Sequence, residues 1–240
     1  MRGLSLSRRT RMALILLFAL GFILFLPMRI ALGMAGLERL GVAAREVQGT
    51  VWSGGIDQLM LGTTSLGSVH AGLSPWSLPV GRARFDIWRR NGAADDLSGA
   101  LTIGLGRIGI DDVTGAVPLG RTFAPLPASS VAMEDVSAYF SGDRCGHAEG
   151  LVRAQMAGQF PGLNLSQGLS GAAICDGEAL LLPLVSQSGL EKINLRIWRS
   201  GRYVAEMRVE TADATLGEAL AKAGFVVAGA AHVLKVEGTL

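Results

Sequence analysis

The chain has 240 residues, of which 22 are basic and 20 acidic, with 33 glycines, three histidines and two cysteines. This length allows one all-β domain or two small domains. A formal charge of only +2 provides no strongly basic surface of the kind that neutralises nucleic-acid phosphates, so a nucleic-acid partner is excluded.

The first predicted element is an apolar segment, Met12–Leu26, which has no charged residue and follows Arg2, Arg8, Arg9 and Arg11. Arginines beside a membrane segment are retained on the cytoplasmic side. The pattern therefore predicts a cytoplasmic basic tail at 1–11, a transmembrane anchor at 12–34 and an exported domain at 36–240. Fifteen residues rise only about 22 Å as a helix, so the anchor has to extend past Pro27 while Arg29 snorkels to the interface.

A cleavable signal peptide is the alternative interpretation of the same segment, because its apolar core typically has 7–15 residues. Small residues for cleavage are present at Ala31 and Gly33, or at Gly33 and Ala35. We favour the uncleaved anchor because Arg29 makes a poor approach to a cleavage site. Both interpretations export the chain from about Gly36 onward.

Export changes the charge balance of the domain. All 20 acidic residues follow the predicted anchor at 12–34, whereas five of the 22 basic residues precede the anchor or lie within it. The exported part therefore has 17 basic and 20 acidic groups, a net charge of −3.

The two cysteines, Cys145 and Cys175, both belong to the exported part. An even number of cysteines in an oxidising compartment favours a disulfide. His147 lies two residues after Cys145, but one histidine and two cysteines at this spacing do not match a structural zinc site, and a disulfide is the favoured interpretation over a metal site.

Beyond the anchor, short apolar runs with alternating character predict an antiparallel β-meander. Turn-forming residues separate the runs, including Ser53–Gly55, Gly62–Thr64 and Ser74–Pro75. The predicted strands are 47–52, 56–61, 65–73, 82–88, 97–105, 109–117, 131–139, 150–157, 168–174, 178–184, 193–198, 203–211 and 232–240.

One short helix is predicted near the C-terminus. Thr215 and Glu218 have capping-box spacing, and Gly224 provides a stop after Leu216–Ala223. The proline-rich stretch Pro118–Pro127 predicts a longer loop, and two halves of the sheet are expected to join near 118–130.

No catalytic constellation is recognisable. The three histidines are scattered, and the nucleophile-elbow and zinc-protease motifs are absent from the sequence. Asp111 and Asp112 are adjacent, and we expect them in a turn rather than in a shared acid–base pair. The sequence predicts neither an enzyme nor a bound cofactor.

The order of several short motifs resembles the type II secretion system protein N family. These are a single N-terminal span, the strand Gly49–Gly54 (GTVWSG), the segment Leu59–Gly62 (LMLG), and Leu73–Leu78 (LSPWSL). Trp52, Gly54, Pro75 and Trp76 carry the resemblance and are the candidate interaction residues.

This resemblance implies a single-pass inner-membrane protein with a cytoplasmic N-terminus and a periplasmic C-terminal domain. It implies an accessory or scaffold subunit that helps to export folded proteins across the outer membrane, with other secretion subunits as partners and no catalytic residues. The N-terminal pattern also resembles AsmA-type envelope proteins, which implies a curved, extended β-meander with an apolar groove. This gives the alternative that Leu180–Leu182 and Phe225–Val227 line a groove that binds lipid.

Overall fold

The computed structural model describes residues 7–35, 42–61, 64–90, 92, 96–156, 165 and 167–240. Its helices are α1 (Arg8–Leu24), α2 (Met28–Ala35) and α3 (Ala214–Lys222), with a 3-10 helix at Pro75–Val80. Its strands are β1 (Val42–Ala43), β2 (Glu46–Thr50), β3 (Ser53–Leu61), β4 (Thr64–Leu73), β5 (Arg82–Arg89), β6 (Leu97–Gly104), β7 (Arg107–Pro118), β8 (Ala128–Ser141), β9 (Arg144–Met156), β10 (Leu169–Ala172), β11 (Ile174–Asp176), β12 (Ala179–Ser186), β13 (Glu191–Trp198), β14 (Arg202–Glu210), β15 (Val226–Ala228) and β16 (Ala231–Thr239).

These strands form one 16-stranded sheet in which every pair is antiparallel. Neighbours in the sheet are mostly neighbours in sequence, so the predicted mainly β fold with an antiparallel meander is confirmed. Strands β1 and β2 pair with opposite ends of β3. In the same way, β10 and β11 pair with opposite ends of β12. Strand β15 lies outside β16 at the far edge.

The larger core lies on one face of the sheet between β8 and β16. Alternate residues of β14 are buried there, namely Tyr203, Ala205, Met207 and Val209. This alternation follows from the two-residue period of a strand. The loop between β7 and β8 adds Phe123 and Leu126 to the core, and α3 adds Leu216 and Leu220.

Two contacts show that this part of the sheet curls. The Arg199 guanidinium in the β13–β14 turn donates a hydrogen bond of 2.9 Å to the Gly142 carbonyl in the β8–β9 turn. In a flat sheet about 14 Å would separate β9 from β13 across β11 and β12. The Phe123 ring also packs edge-on against Tyr203 of β14, with 4.8 Å between the ring centroids. The loop at 119–127 therefore fills the concave side.

The N-terminal segment differs from the expected single spanning helix at 12–34. Helix α1 ends at Leu24, Phe25 caps it, and α2 begins at Met28 after Pro27. Proline cannot donate an intrahelical hydrogen bond, which accounts for the break before α2. None of the helices in the described residues has the combined length and apolar character that a bilayer crossing requires.

Local details of three other predictions also need correction. Ser53–Gly55 belongs to β3 rather than to a turn, because the chain reverses at Val51–Trp52. The C-terminal helix is confirmed, but its N-cap is Asp213, whose carboxylate accepts from the backbone N–H groups of Thr215 and Leu216. Asp111–Asp112 lies within β7 at a register irregularity rather than in a turn.

Several predicted features lie outside the described residues, namely residues 1–6 of the basic tail, Gly62 of the family motif and Ala157 at the end of one strand. The loop at 119–127 joins neighbouring strands of one sheet. The division of the exported part into two halves stays a prediction.

Candidate functional site at the junction of the N-terminal helices and the sheet

The N-terminal helices join the sheet at the β2–β3 turn. The Val51 N–H donates to the Leu26 carbonyl at 2.9 Å, and the Val51 carbonyl accepts from the Leu73 N–H at 2.8 Å. Pro27 forms an isolated antiparallel bridge with Thr50. Val51 is only 3% exposed. The backbone of this turn is therefore hydrogen-bonded to the helical connector on one side and to β4 on the other.

The side chain of Trp52 adds a contact to α1 itself. Its indole Nε1–H donates a hydrogen bond of 3.1 Å to the carbonyl of Ile23. The last carbonyls of a helix lack their usual i+4 partner. The Ile23 carbonyl accepts from the Leu26 N–H at 3.3 Å and gains a second donor in the Trp52 indole. Trp52 thereby fixes the C-terminal end of α1 against the first hairpin.

Met28 at the start of α2 inserts into a small core on the first strands. Its side chain is 1% exposed and packs with Ile56, Leu59, Val69 and Ala71. A side chain at Gly54 would overlap the Met28 sulfur and would come within 2.6 Å of the Gln48 carbonyl. The glycine of the GTVWSG motif therefore makes room for the methionine.

Pro75 and Trp76 have a different environment from Trp52 and Gly54. Pro75 begins the 3-10 helix, whose Ser77 hydroxyl donates to the Ser74 carbonyl at 2.8 Å. The Ser74 N–H in turn donates to the Arg84 carbonyl of β5 at 2.8 Å. Trp76 is 88% exposed. The structure thus places Trp52 and Gly54 inside the junction and Trp76 on the surface, and a binding role for any of them stays a prediction.

An arginine on β5 lies at the centre of a charged network beside the 3-10 helix. Arg84 contacts Asp86 and Asp111 at 2.9 Å and Asp112 at 3.8 Å. The hydrogen bond to Asp86, with the charges of Asp111 and Asp112, raises the pKa of the Arg84 guanidinium, while partial burial acts in the opposite direction. Thr102 donates to Asp111 at 3.0 Å. This network holds β5, β6 and β7 together near one end of the sheet.

The disulfide expected between Cys145 and Cys175 is present, with 5.4 Å between the two Cα atoms. It joins β9 to β11, whose ladder partner is β12.

The residues predicted to line an apolar groove are partly in the large core. Leu180 and Leu182 are each 8% exposed there, and Phe225 is 5% exposed. Val226 and Val227 are instead exposed on β15.

The sequence patterns did not indicate that Met28 and Val51 belong to the junction, or that Arg84 lies at the centre of a charged network. Met28 belongs to a continuous apolar run, so composition does not distinguish it from the residues before it. The signal for Arg84 is its alternation with Asp86 on a strand, which places both side chains on one face. Among the described residues, no three His, Cys, Asp or Glu side chains are grouped so that they could hold a metal ion.

The fold and this junction define a protein with one long antiparallel meander to which an N-terminal helical segment is docked. A profile of the family described as type II secretion system (T2SS), protein N, matches residues 40–231, which is most of the chain. The chain belongs to the type II secretion system protein N family. No curated protein and no solved structure matches it significantly.

Proposed function

We propose that the protein is a non-catalytic accessory subunit of the type II secretion system. Helix α1 holds it at the inner membrane, and its sheet works as a scaffold in the periplasm for the export of folded proteins across the outer membrane. The observation that carries the proposal is the family match over residues 40–231. The docking of α1 on the sheet through Trp52 supports it, because a docked anchor gives the sheet a defined position at the membrane.

The surface of α1 supports insertion in a membrane. Its large apolar side chains point in all directions, and Leu14, Leu17, Phe18 and Phe22 are between 54% and 76% exposed. A helix that is apolar on all sides belongs in a protein core or in lipid. The arginines at its N-terminal end favour the cytoplasmic side.

The burial of Met28 supports an uncleaved anchor. Cleavage after Gly33 or Ala35 would separate Met28 from the sheet and remove it from a core in which it is 1% exposed. Leu32 packs against the same core. Retention of residues 28–35 therefore preserves packing that signal-peptide cleavage would remove.

The far edge of the sheet supports a scaffold role. Strand β15 exposes Val226 and Val227 at 70% and 65%, and no strand in the described part of the chain pairs with its outer side. Unpaired edge groups accept a strand of a partner protein. The concave side near the predicted groove is filled by Leu180, Leu182 and Phe123, which favours the scaffold over the lipid-binding alternative.

Photo-crosslinking in cells that assemble the complete secretion system tests this role. A photo-reactive residue at Val227 is expected to crosslink to another secretion subunit, whereas one at Leu190, which is exposed in the β12–β13 turn, is the control. Deletion of the protein is expected to reduce the release of secreted proteins. Normal release together with no Val227 product would contradict the scaffold role, and extraction of the chain by alkaline carbonate would contradict the membrane anchor.

A further inference from the structure

We propose that the end of the sheet nearest α1 forms a second contact with the membrane surface, made with anionic phospholipid. The contact surface, called here the Trp76–Leu105 patch, consists of Trp76, Leu78, Val80 and Leu105 with Arg82 and Arg107. This inference rests on the proposed anchoring of α1 in the membrane.

The patch exposes four large apolar side chains. Leu105 is 95% exposed, Trp76 88%, Val80 68% and Leu78 42%. Leu105 lies in the β6–β7 turn, and the other three belong to the 3-10 helix that precedes β5. An exposed apolar cluster of this kind marks an interaction surface. Tryptophan in particular is enriched where apolar lipid meets water.

The sheet topology places this patch at the same end as the C-terminus of α1. Hydrogen bonds run from Leu26 to Val51, and from Val51 to Leu73 at the end of β4. The 3-10 helix begins two residues after Leu73. The β6–β7 turn follows three to four strands along the same end of the sheet, or about 14–19 Å from β3.

Insertion of α1 consequently brings the patch close to the lipid. Phe25, which caps α1, is 78% exposed, whereas Met28 is buried in the sheet. The chain passes from an exposed apolar helix to a folded domain within these few residues. A bilayer that covers α1 as far as Phe25 therefore reaches the level of the β2–β3 turn, and the patch lies at the same end of the sheet.

Basic side chains flank the apolar residues. In the ladders, Arg82 and Arg107 lie on either side of Gly104, directly below the β6–β7 turn. Both arginines are exposed, and neither forms an ion pair with another described residue within 4.0 Å. They contrast with Arg84, whose charge is already matched by three aspartates. Free arginines beside an apolar patch complement phosphate head groups.

The same residues border a cleft that suits a head group. It has a volume of about 580 Å³, and Val80 and Leu105 lie at its border together with Arg82, Arg84 and Arg107. Ser77, Thr102, Tyr139 and Asp111 add polar groups to the lining. The Asp111 carboxylate is paired with Arg84 at 2.9 Å, so Arg82 and Arg107 are the guanidinium groups left for a phosphate. The phosphate of a phospholipid in this cleft meets the guanidinium groups of Arg82 and Arg107. The acyl chains of the lipid leave the cleft past Val80 and Leu105.

A fluorescent probe on the full chain tests the proposal. Because the two native cysteines are joined in a disulfide, Leu105→Cys introduces the one free thiol, which is labelled with the environment-sensitive fluorophore NBD. Leu190→Cys is the matched control, since Leu190 is 48% exposed in a turn at the opposite end of the sheet. Each variant is reconstituted in phosphatidylcholine nanodiscs with and without phosphatidylglycerol.

The expected result is a blue shift and quenching by brominated lipid at position 105 but not at position 190, stronger when phosphatidylglycerol is present. The double change Arg82→Gln and Arg107→Gln is expected to lower the equilibrium ratio of lipid-bound to free patch roughly tenfold to thirtyfold. Arg121→Gln with Lys222→Gln removes the same charge at the other end and is expected to have no effect.

Two kinds of failure are distinguishable. A chain that does not remain in the nanodisc contradicts the proposed anchor. A chain that remains inserted but gives no shift at position 105, equal shifts at both positions or a shift independent of phosphatidylglycerol overturns the patch proposal alone. A shift at position 105 that requires another secretion subunit also overturns it, because the patch then binds protein.

Discussion

Gly54 lies directly against the sulfur of Met28, so that the glycine position on β3 determines how deeply the start of α2 enters the sheet. Met28 belongs to the N-terminal segment and Gly54 to the GTVWSG motif, which links the two by packing. The motif that carries the sequence resemblance is therefore also the place where the helical segment is docked.

Substitution of Gly54 is expected to loosen this docking. In Gly54→Ala, the added carbon overlaps Met28 and approaches the Gln48 backbone, so we expect the free energy of unfolding to fall by about 1–3 kcal/mol. Urea denaturation in detergent measures the change. Gly55→Ala is the control because a Cβ there meets no atom within 4 Å, and an equal loss in both variants would contradict the packing explanation.

The hydrogen bond from Trp52 to Ile23 is expected to stabilise the junction between α1 and the sheet. Trp52→Phe keeps an aromatic ring but removes the donor, so the junction should lose about 0.5–1.5 kcal/mol. Limited proteolysis is expected to cut between α1 and β2 faster in this variant. Trp76→Phe serves as the control because Trp76 is 88% exposed, and unchanged cleavage in Trp52→Phe would show that the bond does not fix the helix.

The disulfide between Cys145 and Cys175 is expected to raise the free energy of unfolding. It closes a loop of 30 residues, which corresponds to about 3–4 kcal/mol of chain entropy in the unfolded state. Cys145→Ala with Cys175→Ala should lower the midpoint of thermal unfolding, and a reductant should lower it in the wild type only. Thiol alkylation before reduction should label neither cysteine, and labelling of both in oxidised cells would contradict a stable bond.

The buried guanidinium of Arg89 is expected to contribute more to the free energy of unfolding than the exposed guanidinium of Arg90. Arg89 is 7% exposed and donates to the carbonyls of Leu66 and Ala116, which lie on β4 and β7. Arg89→Met leaves these acceptors without this donor, so we expect a loss of about 1–3 kcal/mol in urea denaturation. Arg90→Met is the matched control, because Arg90 is exposed, and equal stabilities of the two variants would contradict a bridging role.

Much of the sheet was predictable because strand identity is a local property. Alternating runs such as Tyr203–Thr211 carry their buried face in the sequence, and β14 buries the residues expected from a period of two. The loop at 118–127 was predictable from its prolines. The C-terminal helix was predictable from Leu216, Leu220 and the stop at Gly224, which has φ +94°.

The remaining features depend on contacts between distant parts of the chain. Asp112 adopts φ +49° at a register irregularity in β7. No local sequence pattern predicts this bulge. Gly54 was expected in a turn because glycine favours turns, but here it is required by the close approach of Met28. The junction and the curl of the sheet arise from tertiary packing, and strand periodicity contains no information about either.

The phenol of Tyr203 lies under the loop at 119–127 and donates to the Thr122 carbonyl. Burial raises the pKa of Tyr203 above its ordinary value of 10.0. As the pH rises past 10, the unfolded chain releases this proton before the folded protein does, so the unfolded state binds fewer protons and the free energy of unfolding falls. The loss continues until the pH passes the folded-state pKa. Tyr203→Phe cannot ionise, so the stability difference between wild type and variant should shrink above pH 10, and a difference that stays constant with pH would contradict a buried phenol.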